Sequence, residues 1–201
     1  ILDAAEEVAQ EGFDALTLRA VAARLDAAPM SLYRHFPTKE ALVNALLDRV
    51  LGRFAPEPPT GDWIEDLRRF ARAHRRVLDR HPWALAAFFS HPNPGLNATR
   101  IGEAALAILE QTGFSAERTV ATFSGLIALN YGWSAFAAAR DAPPSNAAGQ
   151  VREALAALPH AEFPRTADVA GEMANYASDR HYELVIDQLL AGVRSATRSR
   201  T

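Results

Sequence analysis

Apolar residues recur at spacings of three and four along almost the whole chain, and no run alternates with period two. That pattern predicts helices throughout and no strand. Ile1, Leu2, Ala5, Val8 and Ala9 form one stripe, ended by Gly12. Leu18, Val21, Ala22 and Leu25 form a second, with Thr17 placed to cap it. A three-residue turn, 26–28, leads into a short segment over 29–36. Pro29 suits a first helical position, because the amide it lacks would be unpaired there. Pro37 stops the segment, and Thr38 can cap a fourth helix in which Leu42, Leu46, Val50 and Phe54 follow at intervals of four.

Residues 55–61 hold Pro56, Pro58, Pro59 and Gly61 and mark the clearest boundary in the chain. It divides an N-terminal domain, 1–54, from a C-terminal one, 62–201. Asp62 with Glu65 resembles a capping box ahead of the stripe Ile64, Leu67, Phe70 and His74. His81-Pro82 and the run 91–95 interrupt the next stretch. A helix over 96–112 follows, with Gly113 in the position after its end. Ser115 caps a long helix reaching about Arg140. Pro143-Pro144-Ser145-Asn146 opens a weaker region through Pro164. Ser178 caps the last helix, where Tyr182, Val185, Ile186, Leu189, Leu190 and Val193 share one broad stripe, and 195–201 is a fraying tail.

With 201 residues, 49% of them hydrophobic, the chain can bury one large core or two small ones, and its net charge of −3 does not favour disorder. The lack of cysteine excludes a disulfide framework, a thiolate zinc site and a cysteine nucleophile. No apolar run reaches the ~18–20 residues of a membrane span, and no signal-peptide pattern opens the chain. The expectation is a soluble, cytoplasmic protein without membrane contact, preceded by some N-terminal sequence because it starts at Ile1. There is no P-loop, G-x-G-x-x-G, H-E-x-x-H or G-x-S-x-G, so no enzyme, cofactor or metal site is expected. Asn97-Ala98-Thr99 fits a glycosylation sequon that a cytoplasmic protein would not use.

Two helices joined by three residues, the second very short, are helix-turn-helix geometry. Leu32 and Phe36 point one way on that second helix. Met30 and Arg34 point the other, flanked by Ser31 and Tyr33. Such a face suits DNA: Arg34 for guanine edges or phosphate, Ser31 and Tyr33 for phosphates or bases, Met30 for a thymine methyl. Thr17, Arg19 and Lys39 sit at helix starts that favour phosphate. Residues 17–39 contain Arg19, Arg24, Arg34 and Lys39 against Asp26, a local excess of basic charge in an acidic chain.

The strings Ile1-Leu2-Asp3-Ala4-Ala5, Glu11-Gly12-Phe13, Thr17-Leu18-Arg19-Ala20-Val21-Ala22 and 31–42, from Ser31-Leu32-Tyr33-Arg34-His35-Phe36 to Lys39-Glu40-Ala41-Leu42, resemble the DNA-binding domain of the tetracycline-repressor (TetR) family. The turn departs from it: the family's Gly-Val-Ser-like sequence is replaced by Asp26-Ala27-Ala28. The resemblance implies that Arg19, Ser31, Tyr33, His35 and Lys39 occupy DNA-contacting positions. Tyr33 and Lys39 would clamp phosphates, and Pro29, Met30 and Arg34 would set operator choice.

Residues 63–139 and 179–195 resemble, more weakly, the family's effector-binding and dimerisation domain. The expected fold is therefore all-α, with a three-helix helix-turn-helix domain followed by a helical ligand-binding and dimerisation domain. The resemblance implies a homodimer built on the long eighth and last helices. The apolar stripes agree, through Phe123 and Ile127 on one helix and Tyr182, Val185, Ile186, Leu189, Leu190 and Val193 on the other. Two reading helices about 34–36 Å apart could then read successive major grooves of a palindrome. An effector pocket is expected from Phe70, Trp83, Phe88, Phe89, Phe123, Tyr131 and Trp133, with His74, His91, Asn130 and Ser134 as polar anchors. Plain core packing is the alternative for each of these. Aligned from Trp63, the position of the family's drug-and-magnesium histidine is Phe88, with His91 three residues on. The expected effector is accordingly apolar or amphipathic and metal-free. The predicted function is a ligand-responsive transcriptional regulator, a repressor released from a palindromic double-stranded DNA operator. The rival is an effector-independent architectural DNA-binding protein.

Overall fold

Side-chain caps start five of the helices where the sequence places them. Thr17 Oγ1 accepts from the Ala20 amide at 3.0 Å and Thr38 Oγ1 from Ala41 at 3.1 Å. Asp62 Oδ1 accepts from Ile64 at 3.0 Å, Ser115 Oγ from Arg118 at 3.4 Å and Ser178 Oγ from His181 at 3.3 Å. Each satisfies an amide with no partner inside its own helix. The capping box at Asp62 is only half formed. Glu65 turns instead to Arg68 and Arg69, at 2.6 and 3.1 Å, and the Asp62 amide bonds Thr60 Oγ1. Two guanidiniums on the same helix outcompete one amide for that carboxylate.

The computed structural model describes residues 1–91, 95–141 and 147–198. The elements are α1 (Leu2–Glu11), a 3₁₀ turn (Phe13–Ala15), α2 (Leu18–Arg24), α3 (Pro29–Tyr33), α4 (Lys39–Leu51), α5 (Trp63–Asp79), a 3₁₀ turn (Pro82–Ala84), α6 (Leu85–Ser90), α7 (Leu96–Glu110), α8 (Ala116–Asp141), α9 (Ala147–Ala156), α10 (Pro164–Asp168), α11 (Ala170–Ala174) and α12 (Asp179–Arg198). Among the described residues there is no strand, and no helix is long and apolar enough to cross a membrane. The expected weak region holds α9 and, from Pro164 on, α10 begins. Short alanine-rich pieces with few large apolar residues give little periodicity to read. Residues 143–146 and the end of the tail lie outside the described residues, as do Pro92, Asn93 and Pro94.

The contacts group into two compact units, 1–131 and 132–201, so the proline-rich stretch 55–61 lies within the first. In that unit α1 packs on α2 and α4, and α2 on α3. Val8, Leu16, Val21, Leu32, Leu42 and Leu46 are all buried there, each worth about 1.5–3 kcal/mol of transfer free energy. Arg53 holds Glu6 with two bonds of 2.6 Å, and Arg49 pairs with Asp3, tying α4 to α1. The Arg53 hydrogen bonds hold the Glu6 carboxyl below its usual range against the opposing effect of burial.

α7 is held to α4 by a carboxylate clamp. Asp48 Oδ1 accepts from the Asn97 amide at 2.7 Å, and Asn97 Nδ2 donates to Asp48 Oδ2 at 2.9 Å and to the Asp48 carbonyl at 3.0 Å. Asp48 thus caps a helix that is not its own, with its charge at the positive end of the dipole. The approach leaves no room for side chains on either backbone. A Cβ on Gly95 would lie 2.7 Å from Asp48 Cγ, and one on Gly52 would lie 2.9 Å from Asn97 Nδ2.

The second unit holds the end of α8 and α9 to α12, with α9 packed against α10 and α11. Trp133 Nε1 donates to the Ala177 carbonyl at 3.1 Å, and its ring meets Tyr182 edge-on at 5.8 Å. Phe136 meets Tyr176 the same way at 5.4 Å, and Arg140 donates to the Ala174 carbonyl at 3.2 Å.

The turn after α2 closes as a Schellman motif around Asp26, which has φ 50°. Ala27 N bonds Ala22 O at 3.0 Å, and Asp26 N bonds Ala23 O at 3.2 Å. Glycine adopts that left-handed conformation without the Cβ penalty. Asp26→Gly should therefore stabilise the chain by up to about 1 kcal/mol, read as a higher urea midpoint at unchanged m value.

Candidate nucleic-acid interface and effector cavity

α3 is shorter than the expected 29–36, ending at Tyr33 with Arg34 as its C-cap. The chain still turns on: the His35 and Phe36 amides both bond the Leu32 carbonyl, at 2.9 and 2.8 Å. Leu32 is buried and Phe36 half-buried, so they anchor the segment. Pro29, Met30, Ser31, Tyr33, Arg34 and His35 are all exposed, and Met30 keeps 72% of its surface. A large thioether left in water, beside a tyrosine and an arginine, is an unusual surface for a structural helix. Ser31 donates its hydroxyl to the Ala28 carbonyl at 2.7 Å, which leaves its lone pairs to accept. Thr17, Arg19 and Lys39 are exposed at the starts of α2 and α4. The structure therefore leaves every one of the nine expected DNA-contacting residues open to solvent.

The charge count changes in one respect. Arg24 is bound to Glu7 at 3.1 Å and to Glu11, so it does not belong to the free basic set. Arg19 and Arg34 form no ion pair among the described residues, and Lys39 lies 6.0 Å from the Phe13 ring centre. The acids of α1 are spent on Arg24, Arg49 and Arg53, and the cations left over are those near α3.

A cavity of about 370 Å³ opens in the first unit, within the range of small-molecule sites. Its lining combines Leu51 of α4, His74 of α5, Thr99 and Gly102 of α7, and Phe123, Ile127 and Tyr131 of α8. His74 is the best-defined polar group there. Asn130 Nδ2 donates to the Ala71 carbonyl at 2.9 Å and to His74 Nδ1 at 3.1 Å. An amide N–H on Nδ1 requires that nitrogen to accept, which places the imidazole proton on Nε2. Burial lowers the His74 pKa to about 4, so the ring is neutral and presents one N–H donor. Phe70 stacks on it at 6.4 Å, and Tyr131 meets it edge-on at 5.5 Å. Burial raises the Tyr131 hydroxyl to about 12, so it also stays protonated.

The other expected effector residues do not all converge. Phe88 packs on Tyr131 at 5.5 Å, and Phe89 lies 6.0 Å from the same ring but is largely exposed. Trp83 meets His81 at 6.4 Å, and the His91 ring turns back to the Ala87 carbonyl at 3.0 Å. Trp133 and Ser134 belong to the second unit. Phe123 and Ile127, which the sequence also assigns to a dimer interface, line the cavity inside one subunit. Tyr182, Ile186 and Leu190, also expected at a dimer interface, are fully buried within the subunit. On the same helix Val185, Leu189 and Val193 are half-buried and Leu184 is exposed. Sequence reasoning missed Leu51 and Thr99. It also missed Asp48 and Asn97, the latter read only as a sequon. The small residues Ala98, Gly102 and Ala105 on α7 were the available hint that something approaches that helix closely. Among the described residues, no three of His, Asp or Glu come together as a metal site.

Residues 1–46 match the family of bacterial regulatory proteins, tetR family, and residues 55–197 match the tetracyclin repressor-like C-terminal domain. An HTH-type transcriptional regulator of Saccharopolyspora erythraea is 32% identical over 196 residues, covering 94% of this chain and 80% of that protein. The HTH-type transcriptional repressor DrrR1 of Streptomyces coeruleorubidus is 35% identical over 118 residues, covering 57% of this chain and 44% of DrrR1. Among solved structures, the TetR family protein ActR of Streptomyces coelicolor, in complex with actinorhodin, superposes with a TM-score of 0.85 at 27% identity. That superposition covers 98% of this chain and 95% of ActR.

Two expectations can be measured. Arg34→Ala should relax base preference at one position of a bound site by ~1–3 kcal/mol, whereas Arg19→Ala should weaken all duplexes alike; anisotropy titrations against single-base variants separate the two. For His74, the folded pKa is depressed from 6.5 to about 4, so the unfolded state binds the extra proton between those values. Stability is then complete above pH 6.5 and falls by up to about 1.4 kcal/mol per pH unit towards pH 4. Comparing urea unfolding of wild type and His74→Gln across that range should show a shallower slope in the variant.

Proposed function

The chain belongs to the tetracycline-repressor family of transcriptional regulators, and from that premise we propose that it is a homodimeric repressor released from a palindromic operator by a small apolar or amphipathic effector. Residues 1–54 serve as the reading domain and 62–201 as the effector-binding and dimerisation domain. Each subunit lays α3 in a major groove. Met30, Arg34 and Pro29 face bases, and Thr17, Arg19, Ser31, Tyr33, His35 and Lys39 hold the backbone. Val185, Leu189 and Val193 of α12 meet their counterparts in the second subunit.

The observation that carries the switch is the position of α4. Its Leu51 lines the cavity, and its Asp48 clamps the start of α7, which supplies much of the cavity wall. α4 is also tied to α1 through Arg49, and the turn that follows it through Arg53. A molecule that fills the cavity pushes on α7 and Leu51, and α4 carries the displacement to α3. The two reading helices then no longer match one turn of DNA. Such a ligand binds the DNA-incompetent state better, which is the condition for any shift. An aromatic body suits Phe123 and Tyr131, and an acceptor oxygen suits His74 Nε2–H and the Tyr131 hydroxyl. ActR, whose solved complex carries actinorhodin, supports the reading that this domain binds a small molecule.

The test selects duplexes from a random pool and then measures operator affinity with and without added compounds, actinorhodin first among a panel of aromatic amphiphiles. A palindromic site whose affinity falls about 5- to 150-fold with a compound supports the proposal. Equal binding to every duplex, blind to every compound, supports an architectural role. Asp48→Asn puts a donor where Asn97 Nδ2 needs an acceptor. It should leave operator affinity within about threefold while reducing the ligand-induced change towards unity.

A further inference from the structure

A second cavity of about 360 Å³ lies in the first unit, behind the stretch 55–61. Its walls are Pro56 and Pro59 of that stretch, Phe70 of α5, and Ala104 and Ile108 of α7. Asp66 also lines it and is 5% exposed. Oδ1 of Asp66 is satisfied twice, by the Thr60 amide and the Thr60 hydroxyl, both at 2.7 Å. Oδ2 is buried with no hydrogen bond of good geometry, although the Gly61 amide lies near the carboxyl and helps to keep it ionised. A buried carboxylate oxygen without a donor is costly, and ligand sites are where such cost is usually recovered. The nearby guanidinium of Arg69 does not meet the need. It is engaged by Glu65 at 3.1 Å and faces Glu57 at 3.8 Å. Glu57 in turn holds Arg76 at 3.2 Å. Asp66 is thus the charged group lining this cavity that keeps a buried oxygen without a donor.

We infer that this cavity is a binding site for a small cationic amphiphile, an amine on a short apolar body, whose ammonium bonds Asp66 Oδ2 while its chain lies between the two prolines, Phe70 and the small residues of α7. The site is separate from the His74 cavity, and the inference does not rest on the effector assignment made there. α7 stands between the two, with Ala104 and Ile108 facing one and Thr99 and Gly102 the other. Phe70 in one wall stacks on His74 in the other. Both ligands therefore bear on the same helix.

The probes are n-hexylamine, 1-hexanol and hexanoate, titrated into the full chain by calorimetry and located by crystal soaking. Hexylamine should bind beside Asp66 about 10-fold or more tighter than hexanol, as a charge-assisted bond predicts, and hexanoate should not bind there. Asp66→Asn keeps the Oδ1 acceptor for Thr60 and replaces Oδ2 by a donor, so it should remove the preference for the amine. Ala104→Phe should block the site, whereas Ala98→Phe, which narrows the other cavity, should not. Unfolding curves for each variant report whether the fold is intact. The inference is overturned if hexylamine binds nowhere at millimolar concentration. It is equally overturned if the amine binds with the same affinity in Asp66→Asn, or is lost only in Ala98→Phe.

Discussion

The structure turns on a carboxylate that caps a helix other than its own. Asp48 spends both oxygens and its own carbonyl on Asn97, at the one place where α4 and α7 come close enough for glycines to be required on both sides. Local interactions can start a helix, but they cannot decide which neighbour it stands on. This contact does so for α7. Because α7 lines both cavities, the clamp also fixes the walls against which any ligand must fit. Interactions of this kind are stiff, because shifting the helix unmakes several charge-assisted bonds together.

Charge in the N-terminal helices follows a similar economy. Acidic α1 binds Arg24, Arg49 and Arg53, which stitch it to α2 and α4. The packing of α1 against the two following helices thus consumes most of the local charge of both signs. What remains, Arg19, Arg34 and Lys39, is displaced towards α3 and the helix starts beside it. A chain with net negative charge can in this way present a positive face.

Much of this was legible in the sequence, and the reasons are physical. Helix positions follow from spacing. Starts follow from Thr17, Thr38, Asp62, Ser115 and Ser178, whose caps involve amides only two or three residues away. The exposed face of α3 follows from rotation about a helix axis that Leu32 fixes. The left-handed turn at Asp26 forms without the family's glycine, because a short polar side chain tolerates that conformation. The sequence is silent where a contact joins residues far apart along the chain. Asp48 and Asn97 are forty-nine positions apart, and nothing local marks either one. The cavity linings are equally hidden, since a stripe of apolar residues looks the same whether it meets a neighbour or a void. Glu65 shows the opposite failure: a correct local motif lost its carboxylate to two arginines.

The engagement of Arg24 by Glu7 and Glu11 has a consequence for the ionic environment. At the proposed DNA interface the cations assigned to the backbone are Arg19 and Lys39 of each subunit, so a dimer would displace only about four condensed counterions, and affinity would fall with roughly the 3.6th power of salt concentration. Were Arg24 free to join them, the exponent would be about five. With one cation locked into its own fold, an interface of this kind would be less sensitive to changes in ionic strength.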